Sequence, residues 1–348
     1  NKEKPSPLDE ALSIIFYLRY VYYDTIGELY KKIKNSFGTQ NFTPTQNLIQ
    51  MGFWPGGDRD GNPFVTAEIT QQVAQELHLS ILKSYYAHLK KLRRRLSFRG
   101  VAKILDQLSD HLYDAIFKEE VDISSIEILN KVKEAQKILV EQHNGLFKNL
   151  LEDFKDRVMI FGTHFATLDI RQDSRIHQQV IDEIVQIKSN LNIETSSDQE
   201  KLDWLLSTDV ILQPNDFQGI TRDTLQNVCN IKDIQQKNGE RGMNRYIISN
   251  SEATKDVLNV FALFRLCGYP EAEINVDIVP LFETMEGLDL AQNVMKDLYE
   301  LPIYKRHLDR RKEAQTIMLG FSDGTKDGGY LKANWEIYET KEQLTKVS

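Results

Sequence analysis

NVDIVPLFET, residues 275–284, is the stretch of sequence that decides the fold class, because it is a short apolar run that ends in polar and charged residues. Three further runs repeat this pattern: VMIFGTHFATLDIRQ (158–172), RYIISN (245–250) and TIMLGFSDGTKDGG (316–329). The helices predicted after the four runs cover 174–188, 254–266, 286–298 and 326–345. Apolar runs separated by helices indicate parallel strands that are buried on both faces.

Residues 1–157 are predicted to be mostly helical, whereas residues 158–348 alternate strand and helix. The first helix is expected to be capped by Asp9, with an apolar stripe that repeats every three or four residues. Further helices are predicted from Thr66 and over 101–118, 124–140 and 143–156, and loops over 194–201 and 232–244. The sequence therefore predicts a helix-rich α/β protein.

Composition excludes several classes of function. Among 348 residues, 43 Lys and Arg stand against 51 Asp and Glu, a net charge of −8 that argues against nucleic-acid binding. The basic run 90–95 is interpreted as a solvated helix face. Two cysteines, Cys229 and Cys267, are too few for a disulfide framework and fit a reducing cytoplasm. No apolar stretch approaches the roughly 20 residues of a membrane span, so no membrane partner is expected.

Polar residues at or just after the ends of the predicted strands are the candidates for a functional site. They are Arg171, Asn250, Glu283, Asp323 and Lys326. In parallel α/β proteins the carboxyl ends of the strands line the ligand site, so we expect these side chains to converge on one face.

Glu283 and Asp323 are predicted to bind a divalent cation. Each carboxylate follows a strongly apolar strand, where burial is costly without a cation or a hydrogen-bonded partner. Hard oxygen ligands on two strands suit Mg²⁺ or Mn²⁺. In the alternative interpretation the two residues cap the following helices or pair with Lys326.

Arg171 offers a guanidinium fork for phosphate or carboxylate. In the alternative interpretation it pairs locally with Asp169 or Asp173.

The segment GGDRDGNP (56–63) is either a backbone-rich loop that admits a ligand, with Arg59 available for an anion, or a tight turn that caps the next helix. It lacks the glycine and glutamate of an EF-hand loop, and GFSDGTKDGG (320–329) lacks the P-loop pattern.

Four motifs together resemble the phosphoenolpyruvate carboxylase family. They are WPGGDRDGNP (54–63), LDIRQDS (168–174), VPLFETMEGL (279–288) and IMLGFSDGTKDGG (317–329). The resemblance extends to KPSPLDEA (4–11) and YIISNSEATKDVL (246–258), so it covers essentially the whole chain. It implies an incomplete (β/α) barrel with large helical insertions. It also implies a cytoplasmic homotetramer that combines phosphoenolpyruvate with bicarbonate to give oxaloacetate and phosphate.

By motif position the resemblance implies a role for individual residues. Glu283 and Asp323 match ligands of Mg²⁺ or Mn²⁺, Arg171 matches the residue that binds the substrate phosphate, and Lys326 matches the active-site lysine. Residues that match the surroundings of the substrate methylene group are Trp54, Leu281 and Met318. A location near the pocket, without a definite role, is implied for Gly57, Asp58, Arg59 and Asn62.

The sequence departs from the family pattern at Phe321, Gly324 and Asn250, where the family has Tyr, Ser and Met. The family's T-A-H-P-T and H-G-R-G-G motifs are absent. The expectation is therefore a central fragment that holds the metal-binding half of the active site and does not turn over. Two alternatives stay open: another metal-dependent barrel lyase or phosphotransferase acting on phosphoenolpyruvate or pyruvate, and a non-catalytic helical interaction module.

Overall fold

The computed structural model describes residues 5–37, 48–118, 120–192 and 195–348, and it confirms a helix-rich α/β protein with parallel strands. The helices are α1 Pro7–Tyr17, α2 Tyr23–Phe37, α3 Ala67–Arg93, α4 Val101–Phe117, α5 Ser125–Gln142, α6 Lys148–Phe161, α7 Ser174–Lys188, α8 Asp198–Ser207, α9 Gly219–Asn238, α10 Thr254–Leu266, α11 Met285–Glu300, α12 Pro302–Arg310, α13 Phe321–Gly328 and α14 Tyr330–Val347. The strands are β1 Gly52–Phe53, β2 Thr167–Leu168, β3 Ile170–Asp173, β4 Arg245–Ser249, β5 Asp277–Phe282 and β6 Met318–Leu319. Within the described ranges, no helix is long and apolar enough to cross a membrane.

The chain forms two compact units. The first comprises Asn1–Gly56, Ile69–Leu168 and Lys232–Met243, and the second comprises Gly57–Glu68, Asp169–Ile231 and Asn244–Ser348. The sequence pattern changes near residue 158, from mostly helical to alternating strand and helix. The division of the chain into 1–157 and 158–348 that this change suggested stays a prediction.

The first unit is helical and has an aromatic core. Tyr85 and Phe154 pack edge to face with their ring centroids 5.6 Å apart, and Tyr23 stacks on Phe161 at 5.6 Å. The fully buried Tyr85 hydroxyl donates a hydrogen bond to the carbonyl oxygen of Gly162 at 2.6 Å. Long-range aromatic contacts of this kind hold together helices that are distant in sequence.

The second unit contains the sheet that carries the candidate site. Its four strands are parallel and lie in chain order, β3-β4-β5-β6. In the register, Arg171 lies opposite Ile247, and Leu281 opposite Met318. Ile247, Val279 and Leu281 form a buried apolar cluster on one face, and Met318 packs against it. Chain-order parallel strands bring successive strand ends to one edge, as the sequence predicted.

His177 in α7 is fully buried in the second unit, where its Nε2 lies 3.0 Å from the Tyr246 hydroxyl of β4. Burial, reinforced by the positive charge of Arg59, lowers the pKa of His177 to about 3. The other histidine near the Arg171 strand, His164, is buried in the first unit, and burial also lowers its pKa to about 3. Both are therefore neutral core residues.

Several predicted boundaries were wrong. Ser6 caps α1, and Asp9 occupies the third helical position of a capping box. The helix predicted over 143–156 is α6, displaced toward the C-terminus because Asn144, Gly145 and Phe147 adopt positive φ angles that end one helix before the next begins. The first apolar run, at 158–172, opens as the end of this helix and becomes a strand only at Thr167.

Two predicted loops also contain helix. Helix α8 begins at Asp198 inside the segment 194–201, of which residue 194 lies outside the described residues. Helix α9 continues to Asn238 through the polar segment 232–244, because the buried Asn238 side chain donates a hydrogen bond to the carbonyl oxygen of Ala74 at 2.8 Å. A polar composition was mistaken here for a loop.

The lowered pKa of His177 predicts a specific pH dependence of stability. The unfolded chain binds a proton at this histidine below about pH 6.5, whereas the folded chain does not until about pH 3. The free energy of unfolding therefore falls as the pH is lowered through this window. We expect His177→Phe to make the fall between pH 6.5 and 4.5 shallower by about 2 kcal/mol.

Denaturant unfolding at several pH values measures this difference. Only the slopes of the free energy of unfolding against pH are compared, so a pH-independent loss of stability caused by the substitution cancels. His111→Gln, at a partly exposed histidine, is the control. Parallel curves for the parent and His177→Phe would contradict the assignment.

Candidate functional site

The loop 57–62 joins the edge of the four-stranded sheet. The Arg59 backbone N–H donates to the Arg171 carbonyl oxygen at 2.8 Å, and the Arg171 N–H donates to that of Gly57 at 3.0 Å, so Asp58 forms a parallel β-bridge with Arg171. Extended backbone turns alternate side chains to opposite sides. Asp58, the bridge partner, consequently faces the Arg171 side chain, and the turn at Asp60 brings a second carboxylate to the same guanidinium, while Arg59 points away.

The guanidinium of Arg171 lies among three carboxylates. Its Nη1 is 3.2 Å from Asp58 Oδ2, and its Nη2 is 2.7 Å from Asp60 Oδ2 and 3.7 Å from Glu283 Oε2. The local partners considered from sequence are engaged elsewhere, because Asp169 bonds to Arg245 at 2.8 Å and Asp173 binds Arg175. Burial raises the pKa of the Asp58 carboxyl group, and the positive charge of Arg171 partly offsets this increase.

Arg59 has a partner of its own. It is 6% exposed and forms an ion pair with Asp223, whose other carboxylate oxygen accepts a hydrogen bond from the backbone N–H of Ala67 at 2.9 Å. Ala67 is the first residue of α3, so the loop does anchor this helix, although through Asp223. Asn62 contributes a turn by accepting a hydrogen bond from the Phe64 N–H at 3.1 Å.

Glu283 and Asp323 meet at the ends of β5 and β6. Glu283 is 9% exposed, its Oε1 accepts the Asn250 backbone N–H at 2.9 Å, and its carboxylate lies close enough to Asp323 for each group to shift the pKa of the other. Burial raises the pKa of Glu283, and the nearby Asp323 and Asp60 charges add to this effect. The hydrogen bond from Lys326 instead lowers the pKa of Asp323.

Asp323 and Lys326 lie on helix α13, which begins at Phe321 and therefore before the predicted helix start at Lys326. A spacing of three residues puts them on one face, and Lys326 Nζ lies 2.6 Å from Asp323 Oδ1. Lys326 is nevertheless 75% exposed in its side chain. The predicted final helix, 326–345, is therefore two helices, α13 and α14, separated by Gly329 at φ +80°.

This donor set fits a divalent cation. The cluster holds four carboxylates, Asp58, Asp60, Glu283 and Asp323, against two cations, Arg171 and Lys326. Two carboxylates this close together favour either a shared proton or a cation between them. Over the described ranges, no group of three or more His, Cys, Asp or Glu side chains is arranged to hold a metal ion. Glu283 and Asp323 would thus supply two ligands, which is the usual number for Mg²⁺.

The residues predicted to surround the substrate methylene group are placed in different parts of the chain. Leu281 and Met318 are register partners on neighbouring strands, two residues before Glu283 and Gly320. Trp54 belongs to the first unit and is 37% exposed, and its place beside the other two stays a prediction.

Asp60 is the site residue that sequence reasoning missed. The available signal was the presence of a second carboxylate only two residues from Asp58. The sequence does not indicate that Asp58 forms a bridge with β3 or that a turn brings Asp60 to the same arginine.

The fold and the site define a class: a helix-rich α/β protein whose acidic and arginine side chains gather at the carboxyl ends of parallel strands. The sequence model of the phosphoenolpyruvate carboxylase family matches residues 1–125 and 113–348. The chain therefore belongs to the phosphoenolpyruvate carboxylase family.

Curated relatives agree with this assignment. A phosphoenolpyruvate carboxylase of Nitrosomonas eutropha is 29% identical over 394 residues and matches 97% of this chain. One of Prochlorococcus marinus (strain MIT 9312) is 28% identical over 424 residues and matches 99%. The chain spans 42% of the length of each. None of these comparisons favours the other lyase or phosphotransferase, or the interaction module.

The close approach of β6 to β5 predicts that Gly320 tolerates no side chain. A Cβ on Gly320 would lie 2.3 Å from Glu283 Cβ and 2.8 Å from Glu283 Cα, so the backbone must shift. We expect Gly320→Ala to lower the free energy of unfolding by about 1–3 kcal/mol, as overpacking does.

Denaturant unfolding measures the change. Gly324→Ala is the matched control, because its Cβ would come no closer than 3.3 Å to the flexible end of Met285. Equal stability of the two variants would show that the strand ends are not tightly packed.

Proposed function

We propose that this chain carries part of the active site of an enzyme that carboxylates phosphoenolpyruvate with bicarbonate. The observation that supports this most is the proximity of the Glu283 and Asp323 carboxylates, with the Arg171 guanidinium 3.7 Å from Glu283 Oε2. A divalent cation, Mg²⁺ or Mn²⁺, would neutralise the excess of carboxylates, and a neighbouring arginine suits a phosphoryl group. The family assignment supplies the reaction.

Each residue has a physical role in this proposal. Arg171 neutralises the phosphoryl group, and its two loop carboxylates fix the orientation of its fork. Lys326 holds bicarbonate as an exposed point charge. Leu281 and Met318 form an apolar wall that keeps water from the enolate carbon. When bound, the cation supplies positive charge to the developing enolate oxyanion.

The finer architecture and assembly are also part of the proposal. Four parallel strands in chain order, each followed by helix, are what a segment of a (β/α) barrel requires, so we propose that the sheet is part of such a barrel. A homotetramer, as in the family that the sequence resembles, is the proposed assembly.

Metal binding tests the proposal directly. We expect the chain to bind Mn²⁺, and we expect Glu283→Gln and Asp323→Asn each to weaken binding by about tenfold or more, since even outer-shell losses cost about 10–100-fold. Electron paramagnetic resonance of free Mn²⁺ during a titration gives the affinity.

Asp198→Asn is the control, because Asp198 is an exposed carboxylate of the same unit that pairs with Lys255. Unchanged Mn²⁺ affinity in both site variants would rule out this pair as the metal site.

Removing Arg171 separates phosphate binding from metal binding. We expect Arg171→Gln to weaken phosphoenolpyruvate binding by about 10–100-fold, the value of charge-assisted hydrogen bonds of about 1.5–3 kcal/mol. The same change leaves its carboxylate partners without their cation, so Mn²⁺ affinity is kept or increased.

Calorimetry with phosphoenolpyruvate in the presence of Mg²⁺ measures the first effect. Arg175→Gln is the matched control, since Arg175 is 77% exposed and pairs with Asp173. Equal losses in the two arginine variants would assign phosphate binding to general surface charge.

A further inference from the structure

The corner between β4 and α10 contains a residue in an unusual backbone conformation. Asn250, directly after β4, has φ +54°, in the left-handed region that most side chains avoid. Asparagine tolerates this region better than other non-glycine residues. The sequence marked Asn250 as one of the polar residues at the strand ends and as a departure from the family pattern.

The corner is attached to the strand ends on both sides. The Asn250 carbonyl oxygen accepts a hydrogen bond from Ser174 Oγ at 2.7 Å, next to the end of β3. The Ser251 N–H donates to the Leu281 carbonyl oxygen of β5 at 3.1 Å. Between these two bonds, the Asn250 N–H donates to Glu283 Oε1 at 2.9 Å. The left-handed φ turns the chain directly after this N–H, so that the Asn250 carbonyl oxygen and the Ser251 N–H reach Ser174 and β5 while the Asn250 N–H points at the carboxylate.

We propose that Asn250 is a positioning residue whose left-handed backbone holds the Glu283 carboxylate in the orientation that binds the cation. This inference rests on the proposed metal site. A carboxylate ligand whose second oxygen is fixed by a backbone N–H loses less freedom when it coordinates a cation. Arg171 approaches the other oxygen, Oε2, at 3.7 Å, so each oxygen of Glu283 has a different neighbour.

The backbone of Asn250, and not its side chain, makes the contact. The hydrogen bonds found for Asn250 among the described residues use its N–H and its carbonyl oxygen. A glycine at this position should therefore preserve the arrangement, because glycine adopts positive φ without strain. A β-branched residue should disturb it, because the left-handed region is strongly disfavoured for such side chains.

Mn²⁺ titration of three variants tests the inference. We expect Asn250→Gly to bind Mn²⁺ within about twofold of the parent, and Asn250→Val to bind about tenfold more weakly, the scale of losing a supporting residue. Asn250→Ala, which is less strained than valine, should fall between them and serves if the valine variant does not fold. The matched control is Asn144→Val, because Asn144 has φ +53° in the first unit and so reproduces the strain without the contact to Glu283.

A spectroscopic readout makes the test independent of metal. A backbone N–H that donates to a carboxylate resonates at low field, so the residue 250 amide proton should be shifted downfield in the parent and in Asn250→Gly. It should move upfield in Asn250→Val and in Glu283→Gln. If Asn250 had only a structural role, the chemical shift of its amide proton would not respond to Glu283→Gln.

The outcomes are distinct. The inference is overturned if Asn250→Gly loses as much Mn²⁺ affinity as Asn250→Val, or if Asn144→Val loses the same. If the parent binds no Mn²⁺, the proposed metal site fails, and the amide shifts still decide whether the corner orients Glu283. An amide resonance that is insensitive to Glu283→Gln overturns the positioning role itself.

Discussion

The ion pairs of the Arg171 guanidinium are the interaction on which the site depends. Asp58, Asp60 and Glu283 are all partly or largely buried, and three carboxylates so close together would repel one another and lose hydration without a cation among them. Arg171 supplies that cation from the first strand of the sheet. The same residue holds the loop through two backbone hydrogen bonds, so charge and backbone geometry reinforce each other.

One arginine does not neutralise the cluster, and this imbalance is its most informative property. Glu283 and Asp323 are brought close together because Gly320 lets β6 approach β5 without a side chain between them. Packing therefore brings two carboxylates together although electrostatics opposes it. A cation that binds between two carboxylates held together by packing removes their mutual repulsion. This electrostatic gain is the physical basis of the proposed metal site.

The sequence predicted two of the strands well and the partners of the charged residues poorly. Apolar runs and helical spacing located β4, β5, α10 and α11, because burial on both faces leaves a strong signal. The partners considered for Arg171 were its neighbours, Asp169 and Asp173. Its actual partners Asp58 and Asp60 are more than 100 residues away in the chain, and a bridge between loop and strand leaves no periodic pattern that could reveal it.

The two cations of the cluster are held in ways that suit different tasks. Arg171 is 16% exposed in its side chain and has partners on two sides, so it is a fixed charge. Lys326 is 75% exposed and pairs with Asp323 from the next turn of an exposed helix. Exposed pairs of this kind are worth only about 0–1 kcal/mol, so Lys326 exchanges Asp323 for an anion at little cost. A divalent cation that binds Asp323 would also break its ion pair with Lys326. Metal binding at Glu283 and Asp323 would therefore leave the Lys326 ammonium group free to bind an anion beside the metal.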